Sequence, residues 1–146
     1  MKNNKLINNL SPIVLFVYNR PKHTLKTLKA LKKADLSSES ILYIFSDGSK
    51  SLNDRNVDEV RKIIRSDNWC KKTIINESKS NNGLAKSIIS GVTDVVNKHE
   101  KVIVLEDDLV VSTGFLKYCN EALFEYENDE EVMQIAASSY KSFDNK

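Results

Sequence analysis

The chain has 146 residues, enough for one domain with a real core and too few for two. Apolar residues make up 40% and charged residues 29%, an ordinary balance for a soluble globular protein. The formal charge is +2 and lysines are scattered among acids, which gives no electrostatic footprint for nucleic acid.

No apolar run approaches the ~20 residues that span a bilayer, and the opening MKNNKLINNL is too polar for a signal peptide. A cytoplasmic protein, at most resting on the inner face of a membrane, is the expectation. Cys70 and Cys119 lie far apart without metal-ligand spacing. They read as free thiols in a reducing compartment.

Residues 1–11 read as a polar lead-in. Pro12 to Tyr18, PIVLFVY, is β-branched, aromatic and apolar on both faces, as in a strand of a parallel sheet. It stops at Asn19-Arg20-Pro21. Pro21 suits a first helical turn, where its missing N–H would have been unpaired. Leu25, Leu28 and Leu31 then recur at helical spacing, so 22–34 is predicted as an amphipathic helix. Ile41 to Phe45 is a second strand, ending in the turn sequence Ser46-Asp47-Gly48-Ser49. Val57, Val60 and Ile64 mark a second helix with Asn53 or Asp54 as its cap.

Lys72 to Asn76 is a shorter strand, followed by a polar loop, Glu77 to Asn82. Gly83 allows a sharp entry into a helix carrying Leu84, Ile88, Val92 and Val95 on its apolar face. The segment Lys101 to Val111, KVIVLEDDLVV, comes next. Its apolar run, Val102 to Leu105, reads as a strand buried on both faces. The run breaks into Glu106, Asp107 and Asp108, three carboxylates that repel one another and resist desolvation. A divalent cation or ligand donors would relieve that repulsion at the carboxyl end of a strand, where open α/β sheets bind ligands. A solvated acidic turn is the plainer reading of the triplet alone. Ser112 is expected to cap a fourth helix bearing Leu116, Cys119, Leu123 and Tyr126. Val132 to Ala136 reads as a last strand.

The order β-α-β-α-β-α-β-α-β implies an α/β fold, a Rossmann-like, mostly parallel sheet with helices on both faces. Neither G-x-G-x-x-G nor G-x-x-x-x-G-K-[ST] occurs, which disfavours dinucleotide and P-loop sites. His23 and His99 sit at polar helix positions with no partner pattern, and no catalysis is assigned to them.

Four segments together resemble the nucleotide-sugar-binding part of GT-A fold glycosyltransferases. They are VYNRP before a leucine-spaced helix, FSDGS after the second strand, NNGLAKSIISG, and VIVLEDDLVVSTGFLKYCNEAL. The resemblance is to bacterial family-two-type sugar transferases and to the N-acetylglucosaminyltransferase that starts complex N-glycans. It runs from Pro12 to Ser139, and the acidic segment with its flanks is its most specific part. It implies a UDP-sugar donor, a saccharide acceptor, and Mn²⁺ or Mg²⁺ held through a DxD-like motif.

By that resemblance Asp47 reads the uracil edge, accepting from the N3–H that cytosine lacks. Arg20 lies near the nucleotide, where its fork suits a phosphate or a base carbonyl. Tyr18 and Asn19 form the same lip. Asp108 binds the metal, while Glu106 and Asp107 lie near the ribose or a metal-bound water. Lys86 is the one cation in its helical turn; it either contacts the diphosphate or is, as the plainer reading, a solvated helix lysine. The family's arginine and asparagine inside that helix are replaced here by Ile88 and Ile89. The acceptor half and the catalytic base are expected beyond this stretch. Glu121, Glu125 and Glu127 read as solvated helix acids. An uncovered sheet edge, or the Ser138–Phe143 surface, would favour self-association. Two other readings stand beside this one: a nucleotide-sugar-binding module without transfer, and a receiver-like α/β domain whose acids bind Mg²⁺.

Overall fold

The computed structural model describes residues 10–51 and 54–137. Its elements are β1 (Ile13–Val17), α1 (Pro21–Lys32), a short 3-10 turn (Ser37–Glu39), β2 (Ile41–Ser46), α2 (Arg55–Arg65), β3 (Lys72–Glu77), α3 (Leu84–His99), β4 (Ile103–Glu106) and α4 (Phe115–Glu125). The strands form one all-parallel sheet in the order β3-β2-β1-β4. The fold is therefore α/β and Rossmann-like, as the alternation of strands and helices implied. No helix among the described residues is long and apolar enough to cross a membrane.

β1 is the centre of the molecule, and all five of its residues are buried. Side chains alternate across a strand, so Ile13, Leu15 and Val17 face one layer and Val14 and Phe16 the other. The first layer packs on Leu28 and Leu31 of α1, Val60 and Ile64 of α2, and Leu116 and Cys119 of α4. The second packs on Ile88, Val92 and Val95 of α3. Each such aliphatic side chain contributes about 1.5–3 kcal/mol when fully removed from water. Both cysteines are free and buried, and burial raises the Cys119 thiol to about 11. Neither thiol is poised for chemistry at neutral pH.

Local signals placed most boundaries. Pro21 occupies the first turn of α1. Asp54 caps α2, its carboxylate accepting from the Asn56 N–H at 3.1 Å; Asn53 lies outside the described residues. Gly83 begins α3 with a φ of 79°, a left-handed conformation that favours glycine.

Five expectations change. Ser11 belongs to the core rather than to a lead-in: it is buried, and its N–H donates to Asn120 Oδ1 at 2.8 Å. β4 is not buried on both faces. It is an edge strand whose outer face is left uncovered, so Val104 is 41% exposed. Ser112 does not cap α4. Gly114 holds that position, and the Ser112 carbonyl accepts the Phe115 N–H one turn earlier. Val132–Ala136 is not a strand. Its apolar residues instead line a surface groove with Val96, Val102 and Leu123. Glu127 lies past the end of α4 and bonds Lys101 at 2.9 Å instead of facing only water. The Ser138–Phe143 surface lies outside the described residues.

Candidate functional site

A cleft of about 240 Å³ opens at the carboxyl ends of β1, β2 and β4. This is the switch point of the sheet: the chain runs outward from β1 through β2 to β3 and then crosses back to the other side of β1 as β4. Sheet register builds its floor. Phe16 pairs with Phe45 on one side and with Glu106 on the other, so all three point to one face. The two rings stack with centroids 5.4 Å apart. Gly91 lets α3 lie against them, because a Cβ there would come within 2.8 Å of the Phe16 ring. The result is an apolar floor in which Phe16 is nearly covered and Phe45 is partly exposed to the cleft.

Asp47 follows β2 and is 7% exposed. Its Oδ1 accepts the N–H groups of Gly48 and Asn82, each at 2.8 Å. Its Oδ2 accepts the Asn81 amide and the Gly83 N–H, each at 3.0 Å. Four acceptor positions are thus filled by four donors. Arg61 braces the same region from α2, donating to the Ser78 carbonyl at 2.6 Å and the Asp47 carbonyl at 3.4 Å. The loop entering α3 is consequently tied to the end of β2 at several points.

The acids follow a different logic. Glu106 ends β4, and Asp107 and Asp108 form the turn beyond it, so strand alternation stops there. Asp107 is 9% exposed and Asp108 is half-exposed. Arg20 serves both as counter-charge, at 3.1 Å from Asp108 and 3.7 Å from Asp107. Thr27 of α1 donates to the Asp107 carbonyl at 2.9 Å and fixes the turn. Burial raises the Asp107 carboxyl above its ordinary 3.8, outweighing the nearby Arg20; the Asp108 charge adds to the rise.

A carboxyl raised on folding holds its proton more tightly in the folded state. The stability linked to it is present below the ordinary value and is lost as pH rises through the raised one. Asp107→Asn keeps an acceptor for the Tyr18 backbone and removes the charge. It is expected to melt above the parent at neutral pH, with the gap closing toward about pH 4. Melting curves across pH check this; a constant gap would show that the buried charge is not its origin.

Of the residues singled out from sequence, Tyr18, Asn19, Arg20, Asp47, Glu106 and Asp107 line the cleft. Asp108 joins them through Arg20. Lys86 does not: it is exposed on the outer side of α3, while Leu84 and Ser87 face inward. Helical rotation of 100° per residue separates Lys86 from Ser87. Sequence reasoning missed Lys50 and Asn81. The first sat in a turn read only for its bend, the second in a loop read only as polar. His99, given no partner from sequence, meets the Tyr43 hydroxyl at 2.9 Å, away from the cleft. Among the described residues, no three His, Cys, Asp or Glu side chains gather to form a metal cage.

No protein-family model matches the chain, and no curated protein matches it in sequence. A solved structure does. The crystal structure of S. aureus TarS superposes with a TM-score of 0.58 at 17% identity. The two chains share a fold. The match covers 90% of this chain and 24% of TarS, so the chain spans about a quarter of that protein.

Proposed function

We propose that this chain is the donor-binding region of a glycosyltransferase that takes a UDP-sugar. The cleft carries the reading: one opening at the sheet's switch point combines an aromatic floor, two cations and the acidic end of β4. The base would lie on Phe16 and Phe45. The diphosphate would lie toward Arg20, Lys50 and the first turn of α3, whose Gly83 provides no side-chain cap. The helix dipole favours negative charge there, where the Asp47 carboxylate already takes the Gly83 N–H. The likeness to TarS, a glycosyltransferase, supports the same class at the level of fold.

The acids fit a cation shared with a diphosphate rather than one enclosed by protein. Asp107 is buried and short of positive charge, and Asp108 is open to solvent beside it. Asp108, with Glu106 and Asp107 behind it, would hold Mn²⁺ or Mg²⁺ together with phosphate oxygens and water. A bound cation would offset charge on the departing nucleoside diphosphate. Arg20 now supplies that charge, and it is long and exposed enough to turn to a phosphate when a cation takes its place. Isothermal titration of UDP, CDP and GDP into the chain, with and without Mn²⁺, tests the reading. UDP binding that strengthens with Mn²⁺ is expected. No nucleotide binding under either condition would overturn it.

A further inference from the structure

We infer that the outer ridge of α1 is a docking surface for a membrane bearing anionic lipid headgroups. The inference is independent of what the cleft binds. Lys22, Lys26, Lys29 and Lys33 are spaced i, i+4, i+7 and i+11 along the helix and its C-cap, and all four are exposed. At 100° and 1.5 Å per residue they fall within about 60° of one another, on a line about 16 Å long. Leu31, on the opposite side of the helix, is fully buried. None of the four makes an ion pair among the described residues, whereas Lys32, off the line, pairs with Asp67.

The ridge works against its own helix. α1 has no acid in its first turn, where Lys22 meets the positive end of the helix dipole. Like charges three and four residues apart repel. A face of mixed sign would keep the protein soluble without that cost. α2, packed on the same side of the sheet, has more bases than acids and does not neutralise the line. The segment 107–113 runs alongside α1. The Thr27 hydroxyl donates to the Asp107 carbonyl and the Asp35 N–H to the Thr113 carbonyl, each at 2.9 Å. This segment carries Leu109 and Val110, 46% and 51% exposed. Exposed apolar side chains beside a line of lysines suit the boundary between headgroups and acyl chains. Nucleic acid asks for aromatic stacking or arginine forks, and the line holds neither. Lysine point charges suffice for a diffuse anionic surface, where each adds about fivefold to affinity. Lys22 stands two residues from Arg20, so a membrane along the ridge reaches the rim of the cleft.

The test is co-sedimentation of the chain with vesicles of phosphatidylcholine, with and without phosphatidylglycerol, at low ionic strength. The parent is expected to bind only the anionic vesicles and to be released by added salt. Lys26→Gln with Lys29→Gln should weaken binding about twentyfold. It should melt at or above the parent, because repulsion within the helix is relieved. Should it melt well below, Lys22→Gln with Lys33→Gln takes its place, with the same loss expected. Lys26→Arg with Lys29→Arg keeps the charge and should keep the binding. Lys72→Gln with Lys98→Gln removes as much charge from the α3 side of the sheet and should bind nearly as the parent does. No binding to anionic vesicles, equal binding to neutral ones, or equal losses in the ridge and α3-side glutamine variants overturns the inference. So does loss of binding in the arginine variant. A duplex oligonucleotide bound more tightly than anionic vesicles of equal phosphate content would assign the ridge to nucleic acid instead. A dimer that needs these lysines and forms without lipid would assign it to a second copy; either result overturns the membrane.

Discussion

Asp47→Ala is expected to lower the melting temperature by roughly 10 °C and to abolish any preference among nucleotides. The carboxylate serves four donors, three of them backbone N–H groups: Gly48 just after β2, and Asn82 and Gly83 at the entry to α3. One hydrogen bond to a charged group is worth about 1.5–3 kcal/mol. The four are not additive, since water can reach part of the loop once the carboxylate is gone. A net loss near 3 kcal/mol gives the stated shift for a chain of this size. Asp47→Asn should do little better. Its amide nitrogen would face donors where Oδ1 or Oδ2 now accepts, so two N–H groups would still be left without a partner. Thermal melts of the parent and both variants check this. A variant that melts with the parent would mean the loop holds itself, and that Asp47 is available to a ligand after all.

Asp108→Ala should have the opposite profile: little change in stability and a large change in metal-dependent binding. The Asp108 side chain is 48% exposed, and its partner Arg20 is 55% exposed. Exposed pairs of this kind contribute about 0–1 kcal/mol. Relieving repulsion with Asp107 offsets part even of that. Removing this solvent-facing carboxylate should erase the strengthening of UDP binding by Mn²⁺, by roughly tenfold or more. Arg20→Ala separates the roles. It leaves the acids without a counter-charge, so the cation should bind at least as well, while UDP alone should bind less. The same titrations report both effects. Full Mn²⁺ dependence in Asp108→Ala would move the metal to Glu106 or Asp107, or remove it from the proposal.

The open side of β4 gives the fold a direction for growth. Val104, Leu109 and Val110 are exposed along or just beyond that edge strand. Free N–H and C=O groups of an edge accept another strand readily. Transfer to an acceptor needs an aligned hydroxyl and, for inversion, a base to take its proton. Of the acids on and after α4, Glu121 pairs with Lys117 and Glu127 with Lys101.

Much of this molecule could be read from its residues alone, because the relevant signals are local. Apolar runs such as PIVLFVY and ILYIF need no partner to be recognised as strands. Leucine spacing, Pro21, Asp54 and Gly83 mark helices within a few residues of each boundary. Glu106, Asp107 and Asp108 stand out because charge follows hydrophobicity at one point of the chain. Pairing across distance could not be read in the same way. Val132–Ala136 has a strand's composition but joins no strand, and the exposure of β4 depends on which strand becomes the edge. The strand order and register alone bring Phe16, Phe45 and Glu106 side by side. Arg20 finds Asp108 across 88 residues, and Asp47 finds Asn81, Asn82 and Gly83 across 34 to 36. A short acidic turn advertises a carboxylate, but not whether its lone pairs are free. The sequence offers Asp47 as a turn acid or a base reader; the tertiary structure shows its carboxylate accepting from Gly48, Asn81, Asn82 and Gly83 at the edge of the cleft.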